Sequence, residues 1–356
     1  MFYGIIDQIV CWLRSRGGDN LQYKRKDSIL SMVEMKMRRF AVVSDIHGNK
    51  PALDAVLRDA ERQGITEFLF AGDYCLSGPF PDECIGTLRS LQNKQIVLGN
   101  EERYLEALEG GDQSTWTDGQ KQISYWNYRN ISEENRKWLL SLPKTIALNI
   151  NGRAIHISHQ LNDYITGKPE LFFTRSSRFA AKYGDQPVSA ESIRAEIEAE
   201  IERTPEFYGL LSDLPDGVYI FGHSHLQWSY KVPGREVYLL NPGSSGLPLD
   251  CIRNTIPYAV MSVEENGQVV IQLRRIPFDL GGYAEELLHT TQYTEARVWS
   301  EVIMRELRTS REHLVFFLKY AEQYANSIGD PRRPYAVETW EKAYTEWISA
   351  GASGSI

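Results

Sequence analysis

Cysteine is scarce in this 356-residue chain: Cys11, Cys75, Cys84 and Cys251 lie far apart, with no C-x-x-C pair. That spacing excludes a disulfide frame and reads as reduced thiols in a cytoplasmic protein. Positive charge is also in deficit, with 39 Lys and Arg against 47 Asp and Glu, for a net charge of −8. A nucleic-acid surface needs clustered cations, so stable nucleic-acid binding is not expected. Acidic residues gathered in a cleft would instead hold cations. Long apolar runs are missing too. Near the start, "GIIDQIVCWL" is interrupted by Asp7 and Gln8, which excludes a signal peptide or a membrane span. There is no G-x-S-x-G elbow, so Ser244 and Ser245 read as turn residues rather than nucleophiles. No internal repeat is found.

What is present is the composition of a soluble globular protein, 42% apolar and 24% charged, long enough for one large core or two modest ones. Phe40–Val43, Phe68–Ala71 and Gln95–Leu98 are short buried-strand runs. Between them lie helical patterns: Leu53, Val56, Leu57 and Ala60 after Pro51, then Cys84, Leu88 and Leu91. Strand and helix in alternation imply right-handed crossovers and a parallel sheet. Residues 101–149 read as helical up to a hairpin turn at Asn151-Gly152. Further strands fall at Ala154–Ile157, Val218–Phe221, Val237–Leu240, Tyr258–Val263 and Val269–Leu273. Ile193, Ile197 and Ile201 form a narrow stripe on a very charged helix, expected to be an exposed lid or insertion within 161–212. The tail carries two helical stripes, one through Ile303, Leu307, Leu314, Leu318 and Ala321. The other, through Val337, Trp340, Tyr344 and Trp347, is expected to pack on its own chain, with a homo-oligomer interface as the alternative. The division is 1–38 as a poorly structured N-terminal extension, 39–291 as the catalytic domain and 292–356 as a C-terminal helical segment ending in a disordered "GASGSI".

The informative feature is how the apolar runs end. In order, they stop at Asp45-Ile-His47, Gly72-Asp73, Gly99-Asn100, Ser158-His159, Gly222-His223-Ser-His225 and Asn241-Pro-Gly-Ser. Ligands of an open α/β sheet gather outside the carboxyl ends of its strands, so these distant side chains should meet at one edge. Each motif alone is weak; Asp45-x-His47 is more often a capped turn, and His159 alone is usually structural. Jointly, a chance origin would need every strand to end in a ligand-type residue by accident, and that reading loses clearly.

The set resembles the calcineurin-like metallophosphoesterase superfamily, whose pattern is D-x-H, G-D, G-N-[HCD]-[DE], H, G-H-x-H. "GDYCLSGPFPDE" and "NPGSSGLP" look like the small bacterial and archaeal phosphoesterase branch, which has G-D-x-x-G-x-G-P-x-P and N-P-G-S-x-G. The resemblance spans about residues 39–291. It implies a four-layer α-β-β-α sandwich with extra C-terminal helices and a centre of two divalent metal ions. One would be held by Asp45, His47, Asp73 and His225, the other by Asp73, Asn100, His159 and His223, with Asp73 bridging. Manganese is the first expectation, with iron, zinc, nickel or magnesium as alternatives. The implied reaction is in-line attack of a metal-bridging hydroxide on a phosphate ester, with Asp73, Asn100 and His223 nearest the chemistry. The expected substrate is a small phosphoester or nucleotide, a diester first. A phosphomonoester or a dinucleotide polyphosphate comes second, and a non-catalytic binding scaffold is the rival from another class.

Three departures qualify the match. Glu101 stands where many relatives have a histidine that protonates the leaving group; here it is read as merely opening the next helix, where an acid suits the dipole. No arginine follows Asp73 as in the phosphoprotein phosphatases, so a phosphoprotein substrate is disfavoured. Gln160 follows His159 where glycine is usual, which leaves His156 as the fallback ligand. His289 and His313 read as structural.

Overall fold

The computed structural model describes residues 37–184 and 186–351; expectations for the N-terminal extension through residue 36 and for the final five residues lie outside them. Strand β1 (Arg38–Val43) pairs in parallel with β2 (Glu67–Phe70), and β2 with β3 (Lys94–Ile96). Two helices make the crossovers, α1 (Lys50–Arg62) and α2 (Pro81–Ser90). Antiparallel β9 (Thr255–Val263) and β10 (Val269–Pro277) complete the first sheet, in the order β10-β9-β1-β2-β3. The second sheet has β4 (Thr145–Ile150), β5 (Arg153–Ser158), β6 (Gly217–Ile220), β7 (Gln227–Lys231) and β8 (Val237–Pro242), in the order β4-β5-β6-β8-β7. Its central strands β5, β6 and β8 are parallel.

Strand alternation builds the layers. Phe40 and Val42 of β1 face the other sheet, where they meet Ile155 and Ile157 of β5, Val218 and Ile220 of β6 and Leu240 of β8. Ala41 and Val43 point the other way and pack with Leu53 and Val56 of α1 and Ile85 and Leu88 of α2. Helix α1 starts because Asn49 accepts a hydrogen bond from the Ala52 amide at 3.1 Å, with Pro51 in its first turn, where a missing N–H costs nothing. The result is the expected four-layer sandwich, each sheet carrying helices on its outer face.

Three local expectations are corrected. Residues 101–149 are not helical throughout. Short α3 (Glu102–Glu106), α4 (Gln122–Asn130) and α5 (Glu133–Leu140) give way after Pro143 to the strand β4. Thr145–Asn149 alternates between exposed and half-buried, the signature of an edge strand. The hairpin turn at Asn151-Gly152 is present, with both φ angles positive, as a two-residue loop that matches strand twist requires. Strand β7 is a further element beyond those expected: Trp228, Tyr230 and Val232 alternate with polar residues ahead of the Pro233-Gly234 turn, a signal present in the sequence. Finally, the Ile193–Ile201 stripe is not an exposed lid. It lies on α7 (Ala190–Arg203), beyond α6 (Ser176–Tyr183) and before α8 (Pro205–Ser212). All three isoleucines are buried against the outer face of the second sheet with Phe207, Leu211 and Trp228. At about 1.5–3 kcal/mol per buried side chain, such a helix is a fixed layer.

The tail forms α9 (Leu280–Leu287), α10 (Thr291–Glu295), α11 (Arg297–Thr309), α12 (Leu314–Ser327) and α13 (Val337–Ser349). Ile303 and Leu307 join the first helical layer, whereas Trp340, Tyr344 and Trp347 close a separate cluster with Val298, Val302, Phe317 and Ala321. The tryptophan stripe therefore packs on its own chain.

Candidate metal centre

Six strand ends reach one edge of the sandwich, and main-chain hydrogen bonds stitch their loops. The Asp45 and His47 amides donate to the carbonyls of Gly72 and Asp73 at 3.0 and 3.1 Å. The two sheets are joined there as well: Ser245 N and Gly246 N donate to the carbonyls of Ser44 and Asp45, each at 3.0 Å. Ser244 Oγ adds a bond to the Asp45 carbonyl at 2.7 Å and accepts from Leu247 N at 2.8 Å, so it works as a turn residue. Asn49 donates to the Gly246 carbonyl at 2.8 Å.

The backbone at this edge is unusual. Asp45, His47, Asp73, His223 and His225 all have φ between 51° and 68°. This left-handed region costs most L-residues about 1–2 kcal/mol each, though Asp and His are among the residues that tolerate it. Turning the chain this sharply directs consecutive ligand-type side chains back over the strand ends. Leu76, where the small-phosphoesterase pattern has glycine, keeps a positive φ of 78°. Close approach makes glycine necessary at two neighbours. A Cβ on Gly99 would lie 2.0 Å from an Asp73 carboxylate oxygen, and one on Gly222 2.3 Å from an Asp45 oxygen.

The side chains form two clusters. In the first, ligand atoms of Asp45, His47 and His225 lie within 4.8 Å of one another; in the second, those of Asp73, His159 and His223 do so. Asp73 is equally close to His47 and Glu101, so its carboxylate stands between the clusters. His159 Nε2 is 3.1 Å from Asp73 Oδ2 and 3.0 Å from Asn100 Oδ1, placing Asn100 in the second cluster. The seven residues selected from the sequence thus converge. His156 does not: it sits within β5, stacked on Tyr219 at 4.8 Å. His289 is exposed, and buried His313 lies 3.0 Å from the Thr309 hydroxyl.

The donor set fits cations. His159 Nδ1 and His225 Nδ1 each face a backbone carbonyl, of Ala71 and Leu247, at 2.7 Å. A carbonyl only accepts, so both rings carry the proton on Nδ1 and turn Nε2 inward. His47 Nε2 and His225 Nε2 are 3.1 Å apart, the spacing of two imidazoles aimed at a shared point. Electrostatics agree. Burial opposes ionisation of Asp73, but the imidazoliums of His159 and His47 and the Glu101 amide pull its carboxyl far below the usual range. Burial likewise opposes charge on His47 and His159, yet Glu101 and Asp73 raise His47 to about 9 and Asp73 and Asp45 raise His159 to about 10. Burial, with Asp73 nearby, lifts Asp45 to about 6. Protons here supply positive charge that a cation can replace.

Sequence reasoning missed three supports. Glu101 is not a mere helix opener: it makes no side-chain cap on α3, and its carboxylate meets His47 Nδ1 at 3.0 Å while its amide donates to Asp73 Oδ1 at 2.9 Å. Glu102, fully buried, accepts from Tyr74 N at 2.7 Å and Gly99 N at 2.8 Å, clamping the loops after β2 and β3. Its place in the G-N-[HCD]-[DE] pattern was the available signal. Gln160, the departure from glycine, donates to Asn100 Oδ1 at 3.3 Å.

A sheet sandwich whose strand ends form two adjoining acid-histidine clusters defines the class, and comparison with known proteins agrees. The chain belongs to the calcineurin-like phosphoesterase family, whose profile matches residues 38–227, more than half its length. It is 27% identical over 262 residues to the uncharacterised protein MJ0912 of Methanocaldococcus jannaschii, covering 70% of this chain and 91% of that one. Among solved structures, a metallophosphoesterase from Sphaerobacter thermophilus shares 21% identity and a TM-score of 0.51. The hypothetical protein PH1004 from Pyrococcus horikoshii shares 15% and 0.52. Each covers 77% of this chain and 99% of its own, and at these identities they speak to the fold.

Proposed function

We propose that this family member is a dinuclear metal-dependent phosphoesterase that hydrolyses small phosphate esters, diesters first. The observation that carries the reading is Asp73, a carboxylate between two clusters that together hold seven ligand-type residues. Two divalent ions bound there, manganese first, would supply water activated near neutral pH and draw charge from the phosphoryl oxygens.

The chain's own residues do the rest. Asp73 gives the negative charge that lets two cations sit side by side. Asp45, His47 and His225 complete one position; Asn100, His159 and His223 complete the other. Asp45 is itself oriented by the His223 amide, which donates to both of its carboxylate oxygens at 3.1 Å. His223 is exposed at the mouth, where an incoming phosphoryl group would meet it. In the reaction a P–O bond forms to the water oxygen as the ester P–O bond breaks, and the water's proton passes to solvent or to the departing oxygen.

The preference for diesters rests on position 101. Its carboxylate is committed to His47, so the leaving group receives no imidazolium proton there and must depart readily, as in activated or cyclic diesters. The scaffold alternative is disfavoured because scaffolds typically lose ligands and none is missing here. A cytoplasmic location is part of the same reading. No helix among the described residues is long and apolar enough to cross a membrane, and Cys75 and Cys84 are buried free thiols.

The test is a panel of mono-, di- and nucleotide phosphoesters assayed with Mn, Mg, Ni and Zn added in turn. Metal-dependent turnover with diesters leading is expected. Absence of turnover with every metal would refute the enzyme reading.

A further inference from the structure

A cavity of about 350 Å³ opens beside His223, between the chain that follows β5 and the turn after β6. That size is within the usual range for small-molecule sites, about 300–1,000 Å³. Its aromatic wall is not what a ligand would touch. Phe173, Phe221 and Trp228 are at most 2% exposed and packed edge-to-face on one another. The cavity presents instead the amides of Gln160 and Asn162, the hydroxyls of Thr166 and Thr174, and the cations Lys168 and Arg175. A lipid or other apolar arm finds little to bury there.

Charge narrows the choice. Lys168 is half-buried and has no hydrogen bond or ion pair among the described residues. Burial lowers its pKa; Glu170 raises it, and Arg175 and Arg178 lower it again. Glu170 is the acid of this group, and it is already shared. It is in close contact with Arg178 and lies 3.6 Å from Arg175. Arg178 does not line the cavity; it pairs with Glu170, so with that carboxylate matched the lining cations Lys168 and Arg175 leave a surplus of about two positive charges facing the space. A terminal phosphate, at about −1.5 to −2 near pH 7, matches that surplus better than a single carboxylate. Arg175 and His223 both line this cavity, so the cationic end and the candidate metal centre share one space.

We propose that this cavity is a substrate subsite, holding an ester arm that carries a second, terminal phosphate on Lys168 and Arg175. The natural substrate is then a small organic bis-phosphate, such as a nucleotide bearing one phosphate in ester linkage and another free. The substrate class rests on the phosphoesterase reading above; the binding of the second phosphate does not.

Three esters separate the outcomes: the p-nitrophenyl ester of thymidine 5′-phosphate with a free 3′-hydroxyl, with a 3′-phosphate, and with a 3′-carboxymethyl group. Metal-loaded full-length protein should favour the 3′-phosphate over the 3′-hydroxyl by at least ~10-fold in kcat/KM, the scale of a charge-assisted hydrogen bond. Lys168→Met should cut that ratio by at least about threefold, Arg175 holding the remainder, and Lys168→Arg should retain most of it. Lys342→Met, on the exposed surface of α13, should leave the ratio unchanged. A wild-type ratio near one overturns the subsite, as does an equal loss on all three esters in Lys168→Met. Equal preference for the carboxymethyl ester overturns the assignment of a phosphate. Calorimetric titration with thymidine 3′,5′-bisphosphate and thymidine 5′-monophosphate needs no turnover. Tighter, Lys168-dependent binding of the bisphosphate by a protein that hydrolyses none of the esters would keep the subsite and defeat the phosphoesterase reading.

Discussion

Substituting Glu101 by glutamine isolates the one residue whose structural role departs furthest from its sequence reading. The Glu101 carboxylate lies 3.0 Å from His47 Nδ1 and is the largest influence raising His47 against the effect of burial. His47 Nε2 points to the first cluster, 3.1 Å from His225 Nε2. A carboxylate behind a ligating imidazole fixes the ring and makes it a stronger donor, and losing such a partner typically costs about 10–100-fold in metal affinity. That is ~1.4–2.7 kcal/mol. Glutamine keeps an oxygen that can accept from Nδ1–H, so Glu101→Gln removes charge while preserving the bond and should fall at the lower end, with Glu101→Ala at the upper. The assay is competitive titration of Mn²⁺ against a chelator of known affinity, with thermal unfolding of the metal-free protein as a folding control. Both variants should fold and show affinity weakened in that order. Affinity within twofold of wild type in Glu101→Ala would refute the reasoning.

Other outcomes follow from the same geometry. Asp73→Asn should lose bound metal and hydrolysis together, and an active variant with full metal content would contradict its bridging place. Gly222→Ala puts a methyl 2.0 Å from Ser44 Oγ and 2.3 Å from an Asp45 oxygen, both residues fully buried. It should cost about 1–3 kcal/mol in denaturant unfolding, and a loss near zero would show that the two sheets can separate there. Glu306, buried beside Glu312 at the start of α12, is pushed well above the ordinary carboxyl range by burial and then by Glu312. Its folded pKa exceeds its unfolded one, so its stabilising effect is complete below the unfolded value of about 4.3 and fades as pH rises through the folded value. Wild-type stability should therefore decline above about pH 5 and Glu306→Gln should decline less; identical slopes would show that Glu306 does not hold its proton.

The fold was legible where strands carried an uninterrupted apolar run and a sharp end together. Phe40–Val43 is an uninterrupted apolar run because β1 is buried on both faces, and the break at Asp45 marks its carboxyl end. His159 could be chosen over His156 because β5 ends at Ser158, and the residue just past a strand's end is free to turn toward the edge. The misreadings have the same physical origin in reverse. The Ile193–Ile201 stripe is narrow because α7 lays a single face on a sheet, and a stripe does not reveal whether a surface waits for it. Strand β4 carries an alternation too short to separate from the helical pattern before Pro143. Glu101 could not be read at all, since its direction depends on the loop after β3 folding against the loop after β1. Lys168 and Arg175 belong to no motif; only the folded path from Gln160 to Arg175 brings them beside His223.

The pair of cations is tested most directly by electron paramagnetic resonance on metal-stripped protein titrated with Mn²⁺. Two ions per chain giving a spin-coupled signal, lost in Asp73→Asn, are predicted. One tightly bound ion, or two magnetically independent ones, would contradict the shared-carboxylate site.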